Sequence, residues 1–161
     1  QTLGSGTNPK APASVPVTWN NLTCSLVAMR PGYAQVGHPK IHQASDWEVY
    51  QNYIGKITTP KLAEGTLTLS FKAMMYRNPL IGLTSSAALD NVTADKIIVN
   101  VIGGGTFEDG TTSKTISGVS YSAFNTYTLA IKNATADTQV EFTSPTSVPS
   151  TRWFIDDICV K

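Results

Sequence analysis

The chain is poor in charge. Of its 161 residues 14% are Asp, Glu, Lys or Arg, and 12 basic against 11 acidic residues leave a net charge of +1. Soluble domains usually carry about a quarter charged residues, so this is neither a polyelectrolyte nor a basic surface. It has no positive field to gather nucleic acid or an anionic membrane. Histidine is scarce as well, with only His38 and His42. Together with Asp46 they fall at four-residue intervals, which on a helix would align three metal ligands. Gly37 and Pro39 interrupt that helix, and two solvated loop histidines are the plainer reading. A Ser-His-Asp triad also lacks support, because no Gly-x-Ser-x-Gly elbow occurs. Cysteine is limited to Cys24 and Cys159. Two cysteines do not make a disulfide scaffold. They read as small buried hydrophobes, with a bridge open to them if the terminal strands are neighbours. No apolar run has the roughly 20 residues that a membrane-spanning helix needs.

What the chain does have is hydrophobic residues, 41% of the total, arranged with the period of strands. From Thr66 to Met75, Leu67, Leu69, Phe71, Ala73 and Met75 alternate with Thr68, Ser70 and Lys72, which gives one dry face and one wet face. Burying those five side chains contributes on the order of 10 kcal/mol before the entropy cost. Lys96 to Ile102 is a second strand, with Ile97, Val99 and Val101 on one face and Ile98, Asn100 and Ile102 on the other, a pattern that predicts cover on both sides. Gly103-Gly104-Gly105 and Asp109-Gly110 predict a long hairpin into a strand over Lys114 to Val119. Further strands are expected over Thr126–Lys132 (Tyr127, Leu129 and Ile131 inward), Thr138–Thr143 (Val140 and Phe142 inward) and Arg152–Val160. Earlier candidates are Leu22–Met29, Tyr33–Gly37 and Ile54–Thr58. Many short strands with turn signals between them and no long helix indicate an all-β antiparallel sandwich or barrel.

Residues 1–16 are different in kind. Gly4, Gly6, Pro9, Pro12 and Pro16 stand among small polar residues, the composition of a flexible tail or interdomain linker. The folded domain is therefore expected over residues 17–161. The opening Gln1-Thr2-Leu3 reads as the trimmed start of a longer exported product.

Few constellations bear chemistry. Two of the eleven acids facing each other could hydrolyse glycosides, but a small sandwich without a deep cleft is a poor host for catalysis. The triple glycine lacks the Lys-Ser/Thr of a phosphate loop and reads as a turn. Asn21-Leu22-Thr23, Asn91-Val92-Thr93 and Asn133-Ala134-Thr135 match the glycosylation sequon, and three matches are ordinary in an Asn/Thr-rich chain. Trp47, Tyr50 and Tyr53 recur every three residues, with Tyr76 and Arg77 further on. Aromatic faces stack on the apolar face of a sugar ring while polar neighbours take its hydroxyls. These five are the candidate sugar contacts, and caps on the ends of the core are the alternative.

The final segment, Thr151-Arg152-Trp153-Phe154-Ile155-Asp156-Asp157-Ile158-Cys159-Val160, resembles the last strand of galactose-binding-like jelly-roll domains. These include carbohydrate-binding modules and domains of exported and surface proteins of Bacteroidetes. Gly32-Tyr33-Ala34-Gln35-Val36-Gly37 and the segment from Ile54 through Thr59-Pro60-Lys61-Leu62 to Leu67-Thr68-Leu69-Ser70-Phe71-Lys72-Ala73 are similar to the same group. The resemblance runs from about residue 32 to the end. It implies a β-sandwich jelly roll whose first and last strands lie together, attached to further domains and extracytoplasmic, secreted or on the cell surface. Some members of that group hold a structural calcium through a carboxylate of the last strand, which here would be Asp156 or Asp157; the alternative is that one of the two caps loop amides and the other faces solvent. No Asp or Glu precedes Asp46, so acidic ligands from the first strand are missing, and backbone carbonyls with Asn20 or Asn21 would have to complete the six or more oxygens calcium needs.

Fold alone does not give function. The expectation is a non-catalytic carbohydrate-binding domain whose partner is an oligo- or polysaccharide. A structural or protein-interaction sandwich in a larger surface protein is the alternative, and a small glycoside hydrolase comes third.

Overall fold

The computed structural model describes residues 55–75, 95–145 and 153–161 in full. It also gives the backbone of Arg152 and of four earlier strands, with the side chains of Ala34 and Val36. Twelve strands lie among the described residues. They are β1 (Val17–Trp19), β2 (Leu22–Ser25), β3 (Val27–Arg30), β4 (Tyr33–Gly37), β5 (Lys56–Thr58), β6 (Gly65–Met75), β7 (Ile97–Ile102), β8 (Thr106–Phe107), β9 (Ser113–Ile116), β10 (Asn125–Ala134), β11 (Gln139–Thr143) and β12 (Arg152–Val160). No helix occurs among the described residues, so none there is long and apolar enough to cross a membrane.

The strands form two six-stranded sheets, the first in the order β1-β2-β5-β11-β7-β9 and the second in the order β3-β4-β12-β6-β10-β8. All pairings are antiparallel. From β4 onward each successive strand lies in the opposite sheet from the one before. That winding back and forth makes the sandwich a jelly roll, and it explains why only β1–β2 and β3–β4 pair as consecutive strands.

Alternation sets the core. On β6, Leu67, Leu69, Phe71, Ala73 and Met75 are buried while Thr66 and Thr68 are exposed. Facing them from the first sheet are Ile97, Val99 and Val101 of β7 and Val140 and Phe142 of β11, with Ile57 of β5 beside them. Phe71 meets Phe142 edge-on, with ring centroids 5.0 Å apart, and stacks on Tyr127 at 5.5 Å. Trp153 is fully buried, and its Nε1 donates to Ser144 Oγ at 3.0 Å. The indole N–H therefore enters the core with its partner.

Several expectations are met, and several are corrected. The strands over 66–75, 96–102, 126–132, 138–143 and 152–160 occur with the expected inward residues. The single strand expected over Leu22–Met29 is two, divided between the sheets. The hairpin after β7 exists, since β7 pairs with β9. Its connection, however, crosses to the second sheet, where β8 pairs with β10 and buries Phe107. The first and last strands do not lie together. β1 is an edge of the first sheet, and β12 lies inside the second, between β4 and β6. Nor is β7 covered on both faces, because Ile98 is half-buried and Ile102 is 38% exposed.

Glycine matters most where two turns meet. Gly103 has φ +76°, and a Cβ there would overlap the carbonyl oxygen of Asp137. Thr135 Oγ1 donates to Gly103 O at 3.0 Å, and Thr138 Oγ1 donates to Gly104 O at 2.8 Å. Thr138 is fully buried, so its hydroxyl finds its acceptor within the turn.

Candidate functional site

Regular pairing fails partway along β12. Its residues 152–155 pair with β4 on one side, and that pairing stops at Ile155↔Ala34. On the other side the register with β6 shifts between Asp156 and Cys159. Asp157 sits in the shift with φ +50°, a left-handed conformation that Asp accepts more readily than most residues. The extra residue is a β-bulge. It puts two neighbouring carboxylates at the end of the β4 pairing, while Ile158 and Val160 return to the core side.

A pocket of about 400 Å³ opens at this place. One wall is Ala34 with Ile155, Ile158 and Val160 from the second sheet. The other is Ile57 with Thr59, Pro60 and Leu62 from the first sheet and the turn that leaves it, and Asp156 and Asp157 also line it. The turn is pinned from behind. Thr59 N donates to Val140 O at 2.9 Å, Val140 N donates to Thr59 Oγ1 at 2.9 Å, Gln139 Nε2 donates to Thr59 O at 2.7 Å, and Leu62 N donates to Thr138 O at 2.8 Å. The wall thus holds its shape without a ligand, which lowers the ordering cost of binding.

The carboxylates are only partly engaged. Asp157 Oδ2 pairs with Lys72 Nζ at 2.6 Å, and Asp156 Oδ1 accepts the backbone N–H of Asp157 at 2.8 Å. Asp157, by hydrogen bond and charge, and Asp156, by charge, push the Lys72 ammonium above its ordinary pKa. Mostly apolar walls with a few carboxylate acceptors can bind a compact molecule that has an apolar face and several hydroxyl donors.

Four of the other described carboxylates are held by neighbouring side chains. Glu141 is bound by Lys56 and Asn100, Asp137 by Lys61, Asp109 by Lys114 and Thr111, and Glu108 by Lys132. Lys114 and Thr111 hold Asp109 down at about 2, and Lys61 holds Asp137 below the usual range. Both shifts oppose the raised pKa of a general acid.

A calcium at Asp156 or Asp157, as the resemblance implies, would compete with a cation already in place. The ammonium of Lys72 already neutralises Asp157, and no group of three or more His, Cys, Asp or Glu side chains gathers among the described residues. The Cys159 thiol is unbridged and half-buried in the second sheet, whereas Cys24 lies on β2 of the first. Trp47, Tyr50, Tyr53, Tyr76 and Arg77, with His38, His42 and Asp46, lie outside the described residues. The pocket walls were missed as site residues, because Ile57, Leu62, Ile158 and Val160 look like any core strand. The one signal available was an Asp-Asp pair set in an otherwise apolar strand.

No family model matches this chain, and no curated protein matches it. Among solved structures it is similar to a CBM4 structure, at 17% identity and TM-score 0.49, covering 87% of this chain and 77% of that one. The K3 cleaved adhesin domain of Lys-gingipain from Porphyromonas gingivalis w83 is similar at 11% identity and TM-score 0.42, covering 80% and 73%. The N-terminal cellulose-binding domain of Cellulomonas fimi β-1,4-glucanase C is similar at 12% identity and TM-score 0.40, covering 86% and 82%. What these proteins bind is a property of those proteins.

Proposed function

We propose that this chain is a non-catalytic carbohydrate-binding domain of an exported or cell-surface protein, and that the pocket at the β12 bulge is its sugar site. One observation carries the reading. The pocket of about 400 Å³ combines apolar walls (Ile57, Leu62, Ile158 and Val160) with two carboxylates, Asp156 and Asp157, at one strand. A pyranose ring has an apolar C–H face and a rim of hydroxyls, and those walls and acceptors complement both. The lysine-bound acids elsewhere and the lowered pKa values of Asp109 and Asp137 support a binding role over hydrolysis. Trp47, Tyr50, Tyr53, Tyr76 and Arg77 remain proposed as additional sugar contacts.

Affinity electrophoresis in gels cast with soluble plant and host polysaccharides tests the reading. At least one glycan retards the folded domain, and Asp156→Asn reduces that retardation. A folded domain that runs unretarded through every gel refutes it.

A structural or protein-interaction role is the second reading. The observation favouring it is the pair Ile98 and Ile102, on either side of Asn100 on the outer face of the first sheet, with Ile102 38% exposed. That role predicts loss of association with a neighbouring domain on Ile102→Lys and no effect of Asp156→Asn.

A further inference from the structure

We propose that Asp109-Gly110 is an isoaspartate-forming junction, a site of spontaneous modification that a clamp of Lys114 and Thr111 holds unreacted in the folded domain. The inference stands apart from the carbohydrate reading. This is the only Asp-Gly step in the sequence, and both residues are exposed. Glycine has no side chain to shield its backbone nitrogen, so the step is open to attack on the neighbouring carboxyl. The Gly110 nitrogen bonds to Asp109 Cγ, and its proton leaves with the carboxyl OH as water. Water then opens the five-membered succinimide at either carbonyl. One opening restores Asp109. The other gives isoaspartate, with the side-chain methylene now in the main chain. No oxidant, cofactor or enzyme is needed.

The fold opposes the first step at both reacting atoms. Asp109 Oδ1 accepts from Thr111 Oγ1 at 2.8 Å and from Thr111 N at 3.2 Å, and Oδ2 is paired with Lys114 Nζ. These bonds hold the carboxylate ionised, whereas the attack needs the protonated carboxyl, whose OH can leave. The drop from 3.8 to about 2 cuts the protonated fraction at neutral pH by roughly tenfold or more. The adjacent Glu108 is paired with Lys132, so Lys114 is left to Asp109. The Gly110 nitrogen is engaged as well, donating to Phe107 O at 3.0 Å. Reaction here would reach the core. The added main-chain carbon falls inside the turn that Phe107 N closes by donating to Thr111 O at 2.7 Å, and Phe107 is 1% exposed.

Isoaspartate at residue 109 is measured by enzymatic methyl labelling and peptide mapping after prolonged warm incubation at neutral pH. The folded chain should accumulate it about tenfold or more slowly than the same chain unfolded in guanidinium chloride. Lys114→Met, which keeps the apolar stem and removes the charge, should accumulate it about threefold or more faster than the wild type, with the thermal melt showing that it is folded. Lys114→Arg, which keeps the charge, should retain the slow rate. Thr111→Val removes only the hydroxyl bond and should react at an intermediate rate, and it decides the matter if Lys114→Met does not fold. A folded wild type that reacts as fast as the unfolded chain overturns the proposal. So does a folded Lys114→Met or, in its place, Thr111→Val that reacts at the wild-type rate, and so does an unfolded chain that forms no isoaspartate at residue 109. None of these outcomes bears on glycan binding.

Discussion

Replacing Phe71 with Ala tests the core at the point where the two sheets meet. Phe71 is 1% exposed, and its ring lies edge-on to Phe142 across the sheets and stacked on Tyr127 within its own sheet. Truncating a buried Phe to Ala costs about 3–5 kcal/mol through lost transfer energy and the cavity left behind. The two aromatic partners argue for the upper half of that range, about 4 kcal/mol. A domain of this kind has about 5–15 kcal/mol in total, so the variant should still fold, but with a small margin. With an m-value of about 2 kcal/mol per molar urea, the midpoint should fall by about 2 M at an unchanged slope. Thr68, three residues earlier on β6, is exposed on the opposite face, and Thr68→Ala should move the midpoint by no more than the equivalent of about 0.5 kcal/mol. Urea unfolding followed by tryptophan fluorescence reads both variants. A loss below about 1 kcal/mol for Phe71→Ala, or an equal loss for Thr68→Ala, would refute the assignment of faces on β6.

Two further outcomes are expected. Asp109 titrates at about 2 in the folded chain against an ordinary value of 3.8. Its contribution to stability is therefore present above about pH 4 and is lost as the pH falls through 2. Carboxyl NMR should place its midpoint near 2, and Asp109→Asn should flatten the acid dependence of unfolding between pH 4 and 2. A midpoint near 4 would contradict the Lys114–Thr111 clamp. In the paired turns, Gly103→Ala should destabilise by about 2 kcal/mol or more, because it combines φ +76° with an overlap on the Asp137 carbonyl. Gly110→Ala, at φ +81° with nothing within 4 Å, should cost only about 1 kcal/mol. Equal thermal shifts in the two variants would mean that the close approach at Gly103 is absent.

The strands were readable in the sequence because a half-buried strand repeats every two residues, and that signal is local. Leu67 through Met75 declared both the element and its inward face. Sheet membership is not local, and the misses fall there. Leu22–Met29 carries no turn residue to divide it, yet its halves pair with β5 in one sheet and β4 in the other. β8 is two residues long, too short for any period, and is a strand only because Phe107 finds the core and its backbone finds β10. Ile98 and Ile102 suggested a covered face, but apolar character alone does not say whether anything lies above a sheet. The pocket was harder still, because its floor uses the same residue types as the core and is opened by a shift in register. Only Asp156-Asp157 marked that place in the sequence, and the two were read as metal ligands.

The position of β12 has a consequence for how the molecule comes together. In the second sheet it lies between β4 on one side and β6 on the other, bringing residues 34–37 and 69–75 to its two edges. Without residues 152–160 that sheet is two fragments, the β3–β4 hairpin and the β6–β10–β8 ladder, each with a bare inner edge. Completion of that sheet therefore waits on β12, the last of its strands in chain order. Until it docks, both edges can recruit a strand from another chain, so a C-terminally truncated form should accumulate as aggregate rather than as a smaller folded domain.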